Sequence, residues 1–327
     1  MTAPLGRVSV KLCKVTKPGF FTSVQDSGRF GFQRYGVPVS GAMDTYAFTA
    51  ANLLVGNKPN DACLEATFLG PELLFLSEAQ VAVTGAAFSP TINGEKVACW
   101  RTLRIRRGDV FSFGSSQNGC RVYLAVRGGM DVPTVLGSKS TYVRGSFGGL
   151  QGRQLKAGDV LEAQEPVKPL ASGFSMPKEL IPEYARELTV EVVLGPQHEY
   201  FTERGLETLL SSVYEVTSES DRMGYRLDGA DVESKGVTGI VSDATLGGAV
   251  QVPRDGKPII LMRDAHTTGG YPKIAVVTTP DVSRLGQAKS SDKIRFSRVS
   301  LSKAREKLME YRKALSLLMS RLIESRL

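Results

Sequence analysis

Three stretches of the chain repeat one design. Ile105–Phe113 (IRRGDVFSF), Leu155–Ala163 (LKAGDVLEA) and Ala288–Phe296 (AKSSDKIRF) each place a tight turn, then an aspartate, then alternating residues. A turn that feeds an alternating strand, met three times, predicts barrel or sandwich building rather than a βαβ repeat. The third copy has a serine where the other two have glycine. Between residues 79 and 114 the β-branched residues are broken by Asn93–Gly94, a strong hairpin signal. The fold class is therefore mainly β.

Helices are few. In DTYAFTAANLLVG, Asp44 is the expected N-cap and Gly56 the C-terminal stop. A weaker helix is expected over Glu199–Ser212. At the C-terminus, Leu301, Ala304, Leu308, Tyr311, Leu315, Leu318 and Leu322 alternate spacings of three and four. That pattern predicts an amphipathic helix with one apolar stripe.

A chain of 327 residues is long enough for two domains or two halves. The proline-rich, weakly periodic stretch LEAQEPVKPLASGFSMPKELIPEYARE marks the expected boundary. The expected divisions are a first β-barrel half over 1–175, a second over 176–299, and the helix over 300–327.

Composition narrows the classes. The sequence shows no membrane-spanning run and no signal-peptide core, and its four cysteines lie far apart. Reduced thiols in a cytoplasmic protein are expected. The net charge of +8 raises the question of nucleic acid. From Lys303 onward there are seven basic and three acidic residues, so half the excess sits on the terminal helix. Arg101–Asp109 (RTLRIRRGD) alternates basic and apolar residues, as the wet face of a strand would. Neither nucleic acid nor membrane is an expected partner.

Much chemistry is excluded. With two histidines and no close cysteine pair, a structural zinc site is not expected. Gly137–Thr141 (GSKST) lacks the upstream glycine of a P-loop, and no Gly-x-Ser-x-Gly elbow exists. The glycines of Gly145–Arg153 (GSFGGLQGR) are wrongly spaced for a dinucleotide loop. GAMD offers no lysine to carry biotin.

Three clusters of glycine and polar residues remain. They are VQDSGRFGFQRYGVPVSGAMD (Val24–Asp44), AVRGGMDVPTVLGSKSTYVRGSFGGLQGRQLKAGD, and SDRMGYRL with GGAVQVPRDGKPIILMRDAHTTGGYPKIAVV. Backbone amides freed by glycine, with arginine nearby, suit a carboxylate, a phosphoryl group or an oxyanion. The same residues could instead only turn and brace the chain.

TSVQDSGRFGFQRYGVPVSGAMD, RGGMDVPTVLGSKSTY, FGGLQGRQLKAGD, SDRMGYRL and TTGGYPKIAVVTTPDVSRLGQ resemble the allophanate hydrolase subunit 2 family. This family is also described as biotin-dependent carboxyltransferases or as the C subunit of 5-oxoprolinase. The resemblance runs from about Val15 to Leu315. It implies two cyclophilin-like β-barrel halves. It also implies an ATP-dependent complex that hydrolyses 5-oxo-L-proline to glutamate. The implied partners are a smaller protein like allophanate hydrolase subunit 1 (the B subunit) and a lactam-utilisation protein (the A subunit), with ATP shared among them. Phosphorylating the unreactive lactam oxygen would create a leaving group and let water attack. Two alternatives come with the family. One is the carboxyltransferase part of a split urea or amide carboxylase, with biotin carried by another chain. The other is a binding protein that antagonises a kinase inhibitor.

Mapped onto this sequence, the resemblance makes Asp26, Arg29, Asp264 and His266 the catalytic candidates. Gln25, Ser40, Arg127, Gly148, Gly149, Arg153, Arg222, Tyr225, Gln251, Thr267, Thr268, Gly269, Gly270 and Tyr271 are the candidates for gripping substrate or anion. Asp26 is expected to hold Arg29, and Asp44 to cap its helix. His266 departs from the family, which often has glutamine before the paired threonines.

Overall fold

The computed structural model describes residues 9–164, 170, 173–237 and 239–324. Part of the expected boundary stretch (165–169 and 171–172) therefore lies outside the described residues, as do the side chains of Leu318 and Leu322. Two compact units divide the chain. The first contains Met1–Gly28, Thr45–Glu183 and Leu317–Leu327, and the second contains Arg29–Asp44 and Tyr184–Ser316. The glycine-rich motif at Val24–Asp44 is thus split between units at Gly28.

The first unit is built from two antiparallel sheets rather than one closed barrel. One sheet runs in the order Val160–Gln164, Ser9–Lys17, Glu72–Phe75, Val110–Ser112, Thr91–Ile92, Glu95–Lys96. The other runs Phe21–Gln25, Cys63–Thr67, Arg121–Val126, Ala79–Gly85, Thr102–Ile105. Residues from both sheets share one core, including Leu12, Phe75 and Phe111 from the first and Val24, Val83 and Leu124 from the second. Asn93 (φ 53°) and Gly94 (φ 85°) both take left-handed conformations and join Thr91–Ile92 to Glu95–Lys96. This is the primed turn that the Asn-Gly pair predicts. Helix α1 (Thr45–Leu54) ends at Gly56 (φ 75°), whose N–H donates to Leu53 O.

Seven strands close the second unit into a barrel: Glu187–Leu194, Lys273–Val277, Ala249–Gln251, Ile259–Leu261, Gly224–Asp228, Tyr214–Val216 and Lys293–Arg298. The closure is a parallel pairing of Glu187–Leu194 with Lys293–Arg298, with Val190 opposite Phe296. Both strands alternate buried and wet residues, which fixes the register because a one-residue slip would turn the core outward. Val190, Tyr214, Tyr225, Ile260, Ile274 and Phe296 fill the interior. Helix α2 (Glu203–Ser211) is capped by Thr202, whose hydroxyl accepts from Gly205 N–H. Helix α3 (Thr279–Leu285) opens with proline in its first turn, and helix α4 (Leu301–Glu324) follows the last strand.

The three repeated turns share one geometry. Asp109, Asp159 and Asp292 each accept the backbone N–H three residues earlier, from Arg106 (2.7 Å), Lys156 (2.7 Å) and Lys289 (3.0 Å). The residue before each aspartate is left-handed: Gly108 (φ 91°), Gly158 (φ 93°) and Ser291 (φ 69°). Ser291 adopts this conformation without glycine's freedom, so the third copy keeps the turn at a cost in strain.

Candidate functional site

The second unit gathers the third cluster. Ala249–Gln251 and Lys273–Val277 are antiparallel, and Gln251 stands opposite Lys273 after a register slip. Gln251 is buried, and its Nε2 donates to Tyr271 O (3.4 Å). A Cβ on Gly269 would sit 2.7 Å from both Gln251 Nε2 and His266 Nε2. Only a residue without a side chain lets the backbone pass between that amide and that imidazole. Gln251, His266, Gly269 and Tyr271 therefore form one group.

The segment 266–270 is held from one side by residues 240–247. Asp243–Ala244 pairs with Thr268–Gly269. Ile240 N–H donates to Gly270 O (2.7 Å), Thr245 N–H to Thr267 O (2.9 Å), and the Thr245 hydroxyl to His266 O. A hollow of about 270 Å³ opens beside this segment. It is lined by His266, Thr267, Arg263, Thr245, Gln33 and Thr279 among apolar residues that include Phe30, Val39 and Met262. Partial withdrawal from water lowers the His266 pKa below its ordinary 6.5. Its imidazole is thus neutral at pH 7 and able to accept a proton.

Arg222 and Asp264 act as a brace. Arg222 Nε and Nη2 donate to the two oxygens of Asp264 (2.9 and 3.2 Å), and Nη2 also donates to Gly41 O (2.7 Å). Segment 29–44 is fastened further by Ser40 N–H to Arg263 O (2.9 Å) and by Arg29 N–H to Val39 O (2.7 Å). Asp44 accepts from Tyr184 Oη (2.8 Å), Ser283 Oγ (2.9 Å) and Gln287 Nε2 (2.8 Å). Gly286 lies so close that a Cβ there would be 2.5 Å from Met43 O. Ser40 is fully buried at φ 56°, and its hydroxyl has no hydrogen-bond partner among the described residues. Arg29 is among the largest fully buried side chains. Tyr225 belongs to the barrel core.

The remaining candidates lie in the first unit. The Asp26 carboxylate accepts from Gly28 N–H (2.8 Å), Ser138 Oγ (2.7 Å), Lys139 N–H (2.6 Å) and the Ser140 hydroxyl. Three donors of the GSKST loop thus converge on one carboxylate. Gln25 Nε2 donates to Ser23 Oγ (2.9 Å) and Thr141 O (3.3 Å), while its buried Oε1 has no partner among the described residues. Gly149 N–H donates to Lys139 O and Gly152 N–H to Gly148 O, and a Cβ on Gly149 would collide with the Thr141 hydroxyl. Arg153 grips Asp159 with both terminal nitrogens (2.7 and 2.8 Å), which holds that carboxyl below the usual range. Arg127 Nη1 donates to Val55 O (2.9 Å).

Sequence reasoning missed Lys273, Asp243 and Gln197. Lys273 Nζ lies 2.9 Å from Asp243 Oδ2, Gln197 Nε2 also donates to that oxygen (3.3 Å), and Lys273 N–H donates to Gln197 Oε1 (3.1 Å). A lysine directly after TTGGYP was the available signal.

Residues 35–298 match the family described as carboxyltransferase domain, subdomain A and B, and the chain belongs to that family. Among its relatives, the 5-oxoprolinase C subunit of Escherichia coli (strain K12) is 36% identical over 293 residues, which are 90% of this chain and 93% of that protein. The Haemophilus influenzae protein of the same description is 36% identical, over 86% of this chain and 89% of its own. The crystal structure of the Kluyveromyces lactis urea amidolyase superposes with a TM-score of 0.89 at 35% identity. That likeness covers 94% of this chain but 20% of the much longer amidolyase.

Proposed function

We propose that this chain is the C subunit of an ATP-dependent 5-oxoprolinase that hydrolyses 5-oxo-L-proline to L-glutamate. One observation carries the reading: the likeness runs through nearly the whole length of proteins described as the 5-oxoprolinase C subunit. In the amidolyase it covers one part of a longer chain. The partners would be a smaller protein like allophanate hydrolase subunit 1 and a lactam-utilisation protein.

The glycine loops of the first unit do not fit a triphosphate. The amides of Gly28, Gly149 and Gly152 donate to the Asp26 carboxylate, Lys139 O and Gly148 O, and the hydroxyls of Ser138 and Ser140 donate to Asp26. ATP is therefore assigned to a partner protein, and this chain's contribution is to the lactam. The hollow beside His266 is lined by apolar residues, which suit a small ring, and by polar ones. The neutral His266 imidazole is suited to take a proton from water, and the Gln251 amide keeps the neighbouring backbone in register.

A second reading, the carboxyltransferase part of a split biotin-dependent urea carboxylase, is favoured by the close superposition on the amidolyase. Reconstitution with the partner proteins separates the two. ATP-dependent glutamate release that is indifferent to avidin supports the oxoprolinase. Urea-dependent turnover that avidin abolishes supports the carboxylase and overturns the first reading.

A further inference from the structure

Lys273 and Asp243 form an unequal pair. The lysine side chain is 2% exposed, whereas that of its carboxylate partner is 52% exposed. A buried ammonium needs an anion beside it, because burial without one is costly. Here the anion is supplied by a residue standing mostly in water.

Asp243 also sits on a weakly held support. Residues 240–247 form a flap with Gly239 at one end and Gly247–Gly248 at the other. Its two-residue strand and its bonds to Thr267 O and Gly270 O fasten it to the candidate site. Val241 is 93% exposed and Leu246 54%, so these two apolar residues give it little packing. Segments with few buried contacts and wet backbone bonds open at low free energy. Beneath the flap, Lys273 is opposite Gln251, whose amide abuts Gly269 and, through it, His266.

We propose that Lys273 is an anion-binding residue of this site, masked at rest by Asp243, and that a substrate carboxylate replaces Asp243 on Lys273 as the flap lifts. The identity of that carboxylate, 5-oxo-L-proline, rests on the oxoprolinase reading. The exchange substitutes one ion pair for another, so the buried ammonium is never left bare.

Two measurements test this. In the reconstituted complex, Lys273→Met should raise KM for 5-oxo-L-proline by about tenfold or more, and Lys273→Arg should restore part of the loss. Asp243→Asn should lower KM, since the competing carboxylate is gone. A rise in KM in both variants would make the pair merely structural and overturn the proposal. Should Lys273→Met fail to fold, Asp243→Asn at its exposed position still decides the sign. In the isolated full chain, hydrogen exchange at Ile240 and Thr245 should quicken with 5-oxo-L-proline but not with 2-pyrrolidinone, which lacks the carboxylate. Equal or absent responses to the two overturn the proposal. Carboxylate-dependent exchange without any turnover would overturn the oxoprolinase reading and leave the role of Lys273 standing.

Discussion

Arg222 holds Asp264 through both carboxylate oxygens while the same guanidinium reaches the carbonyl of Gly41. Both side chains are buried. One ion pair thus fixes the residues just before His266 and the turn at Gly41 together.

Breaking that pair from one side should be costly. Asp264→Ala or Arg222→Ala leaves a buried charge unmatched, with an expected loss of about 3–5 kcal/mol. Chemical denaturation of each single variant and of the double variant checks this. The double variant should lose less than the two singles combined, because no orphan charge remains.

Gly269→Ala places a methyl 2.7 Å from the Gln251 amide and the His266 ring. Overpacking of this kind costs about 1–3 kcal/mol. The expected outcome is a folded protein with modestly lowered Tm and a kcat/KM reduced by about a hundredfold, since small displacements of positioned groups carry large kinetic penalties. Gln251→Ala in the same background should recover part of the rate by making room.

The motif makes Asp26 the residue expected to steady Arg29, and its carboxylate also accepts from the loop at residues 138–140. Asp26→Ala leaves several buried donors unmatched and should lower stability by about 3 kcal/mol or more. Thermal unfolding is the check. Activity lost at an unchanged Tm would return Asp26 to a direct chemical role.

The lowered pKa of His266 makes a signed pH prediction. Its folded-state pKa lies below the ordinary 6.5, so the unfolded chain binds the proton more tightly. Stability from this group is complete above about pH 6.5 and falls as pH drops through the window beneath it. The acid limb of kcat/KM should therefore have a midpoint under 6.5. His266→Asn should flatten that limb, and an unchanged limb would assign it to another group.

Legibility followed locality. The three turn–aspartate repeats, the Asn93–Gly94 hairpin and helix α4 were readable because each depends on neighbours in the chain. Asp44 reads as a helix cap, yet it receives bonds from Tyr184, Ser283 and Gln287 at separations of 140 residues or more. Helix α3 is only seven residues long, too short for its period to show. By composition, glycine amides look available for an anion, but Gly28, Gly149 and Gly152 donate to Asp26, Lys139 O and Gly148 O. Nothing in the residue types hints at that internal use. In the third cluster, Gln251, His266, Gly269 and Tyr271 do come together. The lysine after TTGGYP is a single residue, too weak a signal on its own to assign Lys273 a role.

The most direct test of the central claim is a titration of this chain into fixed amounts of its two partner proteins, with ATP and 5-oxo-L-proline present. Glutamate formation should rise from nothing to a plateau with the wild-type chain, and a folded His266→Ala chain should compete for the same partners without restoring the rate. Glutamate formed at full rate without the chain, or with His266→Ala in its place, would contradict the account.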